Sequence, residues 1–388
     1  MRIAPKRVRV AIVRQRYSPF GGAERFIERA VPALERAGAE VTLIARSWDG
    51  WGARRVLAVD PAYVGNAWRD WSFARAARRA WERGGFDLVQ SHERIPGCDI
   101  YRAGDGVHAS WLAIRRGAAG PLERLGIALN PYHRYVCAAE RRMFAHPKLR
   151  AVICNSRMVR DEIELAFGVA ADKLHVICNG VDLAHFHPER REVLRAAARA
   201  ELGADANDVV FAFVGSGFER KGLDAAIGAL ALCAAEPCLL AVAGRDRHAA
   251  RFAAMARAFG VGARVRLLGG LDDVRSLYAA ADCFILPTRY DPFPNAVLEA
   301  MAMGLPAIVG RRSGAAEIVN SGHNGWVCDP GDVPGIAAQM REAARAAPAQ
   351  RAGYAQAARR TAEAYGIDDM ARRLTELYAM LAPGAGRP

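Results

Sequence analysis

Short apolar runs of strand length alternate with amphipathic helical segments along most of the chain, and the alternation begins again near its middle. In the first series the runs 8–13, 41–45, 87–91, 151–155 and 175–179 read as strands. Helical segments over about 22–37, 67–83 and 157–167 separate them, with Gly38 and the Gly84-Gly85 pair as C-terminal stops. The second series has strand-like runs at 209–215, 238–243, 264–268, 282–287, 306–309 and 326–328, and helices over 223–235 and 248–259. Continuous apolar strands separated by helices belong to parallel sheets covered on both faces. The expected fold is α/β, with two Rossmann-like domains and a cleft between them. The domains are 1–182 and 183–365, and a last helix, about 366–383, is expected to cross back to the first domain.

A chain of 388 residues, 52% of them hydrophobic, can build two such cores. No run of about 18 uninterrupted apolar residues occurs, so no transmembrane helix is expected. The start of the chain lacks a long apolar stretch and a small-residue cleavage site, which predicts a cytoplasmic location. None of the eight cysteines forms a C-x-x-C pair, and several sit in apolar runs, so reduced core thiols are expected rather than a disulfide framework or zinc site. The formal charge is +13, carried almost wholly by arginine; the only lysines are Lys6, Lys148, Lys173 and Lys221. Such a surface suits a polyanionic neighbour: nucleic acid, an anionic membrane or a phosphorylated substrate.

Chemistry concentrates in three places. Asp291-Pro-Phe-Pro-Asn-Ala-Val-Leu-Glu299 follows a strand and leads into a helix, with its two carboxylates separated by seven residues. Ligands of parallel sheets bind at that edge. The N–H groups of Asn295, Ala296 and Val297 at the helix start favour an anion. A carboxylate on either side of an anion site matches a nucleotide sugar: sugar, diphosphate, ribose. Taken alone, Asp291 could equally be a turn residue and Glu299 a solvated helix residue. Gly215-Ser-Gly-Phe-Glu-Arg-Lys-Gly222 also joins a strand to a helix, and Arg220 with Lys221 can neutralise a phosphate. It is neither a P-loop nor a G-x-G-x-x-G dinucleotide loop. Phe20-Gly21-Gly22-Ala-Glu24 holds the equivalent place in the first domain.

Together these segments resemble the retaining, two-domain nucleotide-sugar glycosyltransferases of family 4, with the GT-B fold. Asn179-Gly-Val-Asp182, Val242-Ala-Gly244 and Glu299-Ala-Met-Ala-Met-Gly304-Leu-Pro306 extend the likeness. More narrowly, Pro19-Phe-Gly-Gly22 with Arg25, Arg46-Ser-Trp48, Pro96-Gly-Cys-Asp-Ile-Tyr101 and Asp105 resemble the lipopolysaccharide-core glucosyltransferases that extend the inner-core heptose. The family usually has Glu at the place of Asp291 and Gly at that of Pro294. Aspartate is one methylene shorter, and proline lacks an N–H although it suits the first turn of a helix. Both departures bear on the donor sugar more than on the reaction type.

The resemblance implies an acceptor-binding first domain and a nucleotide-sugar-binding second domain. Glu299 should hold the ribose hydroxyls and Asp291 should lie near the donor sugar. Arg220 and Lys221 should bind the diphosphate, and Gly21 and Gly22 should line its other side. Gly215, Gly244, Phe293 and Pro294 complete the implied donor site, and Asp105 is the carboxylate expected beside the reacting centre. The implied reaction moves a hexose, glucose in the resembled group, from a UDP-sugar to a lipopolysaccharide-core acceptor with retention, and needs neither metal nor cofactor. Between Trp111 and Arg142, six arginines interleave with apolar residues, a pattern suited to an anionic membrane surface. It predicts a peripheral enzyme at the cytoplasmic face of the inner membrane. Two rivals are an epimerase of the same architecture, which needs no acceptor, and a basic nucleic-acid-binding protein. No zinc finger, RNP-like motif or homeodomain-like recognition helix is visible, so no nucleic acid is expected as partner.

Overall fold

The computed structural model describes residues 7–15, 22–47 and 55–382. They divide into two units, one of 23–178 with 7–15 and 368–382, the other of 179–367 with Gly22.

The first unit is built on seven strands: β1 (Val8–Val13), β2 (Ala39–Ala45), β3 (Val56–Ala58), β4 (Leu88–Ser91), β5 (Ile100–Arg102), β6 (Ala151–Cys154) and β7 (Leu174–Val176). Their order is β3-β2-β1-β4-β5-β6-β7, and every pairing is parallel. Between them run α1 (Gly22–Arg36), α2 (Gly65–Arg83), α3 (His108–Ala118), α4 (Pro121–Leu129), α5 (Pro131–Phe144) and α6 (Arg157–Phe167). Because helices cover both faces, inner strands such as β4 and β6 are buried throughout. Two strands were not expected. β3 is a short, exposed edge strand, and β5 carries a charged residue, Arg102, whose side chain is nonetheless buried.

The second unit repeats the plan with β8 (Val209–Val214), β9 (Cys238–Ala243), β10 (Val265–Gly269), β11 (Cys283–Leu286), β12 (Ala307–Gly310) and β13 (Gly325–Cys328). The order is β10-β9-β8-β11-β12-β13, again wholly parallel. Its helices are α7 (Pro188–Leu202), α8 (Phe218–Lys221), α9 (Leu223–Leu232), α10 (Ala249–Ala258), α11 (Arg275–Ala280), α12 (Asn295–Ala302), α13 (Val333–Arg345) and α14 (Pro348–Glu363). α9 stops three residues short of the expected end, ahead of Glu236-Pro237, where proline disfavours helical backbone in the residue before it.

The last helix, α15 (Ile367–Leu381), belongs to the first unit from Asp368 onward. Met370, Ala371, Leu374, Leu377 and Tyr378 form its buried stripe, at the spacing of one helical face. The Tyr378 hydroxyl donates to Gln90 Oε1 at 2.7 Å, and Arg36 pairs with Asp368 at 2.7 Å. In each sheet the strand order reverses beside the first strand, between β1 and β4 and between β8 and β11. The carboxyl ends at such a switch point are where doubly wound sheets take their ligands. Six of the eight cysteines are buried, in line with the expected core role.

Candidate active site

At the switch point of the second unit, three loops are stitched together. After β8, Gly215 donates to the Ala243 carbonyl at 2.9 Å, and α8 then turns once before Gly222. The Arg220 carbonyl accepts from Thr288 Oγ1 at 3.0 Å and from the Arg289 N–H at 2.9 Å. The Phe218 N–H donates to Asp246 Oδ2 at 2.8 Å, which ties in the loop after β9. Two glycines are required here. At Gly222 (φ +79°) a Cβ would stand 2.0 Å from the Pro287 carbonyl oxygen, and at Gly244 (φ +147°) it would stand 2.1 Å from that of Gly215.

This stitching brings Arg220 and Lys221 to Asp291. Lys221 Nζ forms an ion pair with Asp291 Oδ2, and Arg220 Nη1 lies 3.5 Å from the same oxygen while donating to the Tyr290 carbonyl at 2.9 Å. Burial lowers the Lys221 pKa, and the Asp291 charge opposes that shift. Asp291 is only 5% exposed, so it is no solvated turn residue. Its backbone is held on both sides, donating to the Arg312 carbonyl at 3.1 Å and accepting from the Gly314 N–H at 3.0 Å.

Beyond it, Phe293 is buried and Pro294 forms the N-cap of α12. Asn179 Nδ2 donates to the Phe293 carbonyl at 3.0 Å and to Asn295 Oδ1 at 2.7 Å, which sets the entry of the helix. Of the three N–H groups expected to face an anion, that of Val297 is bonded to the Pro294 carbonyl at 3.1 Å. Glu299 is 7% exposed, with Oε2 at 3.2 Å from the Tyr278 hydroxyl, which also lies 3.3 Å from the Ala296 carbonyl. The alternative reading of Glu299 as a solvated residue therefore fails. Neither Tyr278 nor the positioning role of Asn179 was singled out from the sequence.

The first unit has its own cavity, about 200 Å³, at the ends of β1 and β4. Arg14 and Gln15 follow β1, Glu93 follows β4, and Asp105 stands on the turn between β5 and α3. Arg14 Nη1 lies 3.5 Å from Asp105 Oδ2 and 3.6 Å from Glu93 Oε1, so one guanidinium holds two carboxylates. Gln15 N–H donates to Glu93 Oε1 at 2.9 Å. Burial pushes the Glu93 carboxyl pKa up, against the pull of Arg14. Arg69, Asp70, Arg94, Tyr132 and Tyr135 complete the polar wall. Of the two glycines expected here, Gly21 lies outside the described residues and Gly22 begins α1. Asp105 was expected at this place; Arg14 and Glu93 were not, and their only signal in the sequence is position, since each follows closely on the strand at the switch point.

The basic segment 111–142 resolves into α3, α4 and α5. Leu112, Ala119 and Ile127 form a small core of their own with Cys137 against it. Leu122, Leu125 and Leu129 are 87%, 56% and 64% exposed, at i, i+3 and i+7 on α4. Among the described residues no helix is long and apolar enough to cross a membrane.

Comparison with known proteins accords with this architecture. The family model for glycosyltransferase family 4 matches residues 20–185, and that for group 1 glycosyl transferases matches 195–361. A protein of Burkholderia thailandensis named as a probable transglycosylase is 30% identical over 334 residues, covering 84% of this chain and 83% of that one. The lipopolysaccharide glucosyltransferase WaaG of Escherichia coli K12 is 26% identical over 324 residues, 82% of this chain and 84% of its own. A crystal structure of WaaG superposes with a TM-score of 0.81 over 97% of this chain and all of that one, at 24% identity. Anabaena HepE, solved with UDP and glucose, gives 0.73 at 20% identity, over 96% of this chain and all of its own. Two doubly wound units, the pairing of Asp291 with Lys221 and these matches lead to one conclusion: the chain belongs to the family 4 glycosyltransferases and has the GT-B fold.

Proposed function

We propose that this glycosyltransferase moves glucose from UDP-glucose to a lipopolysaccharide-core acceptor, with retention at the anomeric carbon and without a bound metal or other cofactor. The observation that carries the reading is the pair of buried carboxylates, Asp291 and Glu299, with Arg220 and Lys221 beside the first. Glu299, steadied by Tyr278, receives the ribose hydroxyls. Arg220 and Lys221 receive the diphosphate and stabilise the charge that builds on it as the glycosidic bond breaks. Asp291 meets the donor sugar. The glucosyl acceptor enters the first unit, where Asp105, tethered by Arg14, orients its hydroxyl, and attack and departure share one face of the sugar.

Support for the acceptor comes from WaaG, named as a lipopolysaccharide glucosyltransferase. Support for the donor comes from HepE, whose structure holds UDP and glucose. The exposed leucines of α4 and the arginines around them support attachment to an anionic bilayer, and the reading puts the enzyme at the cytoplasmic face of the inner membrane. A thermal-shift screen over nucleotide sugars tests the donor. A ligand at a hundred times its Kd adds about 2.7 kcal/mol of apparent stability. UDP-glucose is expected to raise the midpoint most, and no shift with any nucleotide sugar defeats the reading. The anomeric configuration of the product, read by NMR, tests retention.

A further inference from the structure

Lys221 and Arg220 are the cations a diphosphate needs, and Asp291 already engages both through one oxygen. We infer that Asp291 is a built-in rival for phosphate: its carboxylate and a ligand's phosphate contend for the same two cations, so the site favours ligands with two phosphates over those with one. The inference rests on the reading of Arg220 and Lys221 as the diphosphate site.

Three features make the rivalry hard to avoid. The Asp291 backbone is clamped between Arg312 and Gly314, which leaves its carboxylate little reach beyond a side-chain rotation. Lys221 is equally constrained: its stem runs beneath Gly215, where a Cβ would lie 3.4 Å from Lys221 Cε. The trio carries a net charge of about +1, and the Lys221–Asp291 pair within it is largely screened from water, a setting in which unit charges interact strongly. A monophosphate exchanges one anion for another on Lys221 and gains little. A diphosphate engages Lys221 and the more exposed Arg220 together, and its greater charge outweighs that of the carboxylate.

Asp291→Asn removes the charge at nearly constant shape. Calorimetric titration of wild type and variant with inorganic pyrophosphate and with inorganic phosphate tests the idea, because neither probe carries a sugar. Pyrophosphate is expected to bind the variant about tenfold more tightly, and phosphate to gain more, so that the preference for two phosphates narrows. Unchanged or weaker pyrophosphate binding overturns the inference and returns Asp291 to a role toward sugar hydroxyls alone. If Asp291→Asn does not fold, Asp291→Ser carries the same expectation. Lys221→Ala separates the two layers of argument: if it leaves pyrophosphate binding to the wild-type site intact, the diphosphate site is misplaced and the rivalry falls with it.

Discussion

A single phenol hydroxyl steadies the carboxylate assigned to the ribose. Tyr278→Phe takes the donor away from buried Glu299. The expected loss is about 1 kcal/mol of stability, with a raised donor KM and a smaller change in kcat, read from thermal melts and Michaelis profiles. Lys221→Ala removes the cation proposed to meet the leaving diphosphate and should lower kcat by about a hundredfold or more. Asp105→Asn keeps the shape of the side chain and should lower turnover by about a hundredfold; turnover at the wild-type level removes Asp105 from the mechanism. Asp291, Glu299, Arg220 and Lys221 were legible in the sequence because they stand at telling places after strands. Tyr278, Arg14 and Glu93 were not, nor was the positioning role of Asn179, because each acts through a neighbour distant in sequence. Arg14 and Asp105 are 91 positions apart.

At the scale of elements, the tight join between β8, α8 and α9 depends on Gly222. Gly222→Ala sets a methyl group against the Pro287 carbonyl in left-handed backbone, and should destabilise the second unit by about 3 kcal/mol. Urea denaturation checks this. On α4 the opposite holds: Leu122, Leu125 and Leu129 are exposed, so changing all three to Ser should leave the melting temperature within about a degree or two. The same variant should lose most of its sedimentation with anionic vesicles, and undiminished binding counts against α4 as the contact. Strands buried on both faces announced themselves as apolar runs. β5 did not, because Arg102 interrupts a run only three residues long, and β3 did not, because an exposed edge strand need not be apolar. The run read as a strand over 175–179 ends sooner, at Val176, and Asn179 serves instead to hold the start of α12.

For the molecule as a whole, two histidines of the first unit contribute to the response to acid. Burial drives the pKa of His92 well below its usual value and that of His108 down to about 4, with Arg102 and Arg14 adding to the first and Arg94 and His133 to the second. Asp105 opposes both shifts. Each imidazole is thus neutral when folded, while the unfolded chain takes up a proton near pH 6.5. Their contribution to stability is complete above that pH and is lost as the pH falls toward 4. Melting temperatures across that range should decline accordingly, and replacing His108 with Gln should flatten the slope. The two-unit plan was readable because the strand–helix alternation restarts near the middle. The net charge of +13 said less, since many of the arginines serve the fold, as Arg195 does on the Ala279–Ala281 carbonyls.

The return of α15 has a consequence for how the chain is made. Residues 179–367 form one uninterrupted stretch, whereas the first unit waits for residues after 368 before Gln90 meets Tyr378 and the stripe from Met370 to Tyr378 is covered. On the ribosome, the first unit is therefore finished only after the second. Until then it presents an unfilled apolar surface to whatever chaperone attends the emerging chain.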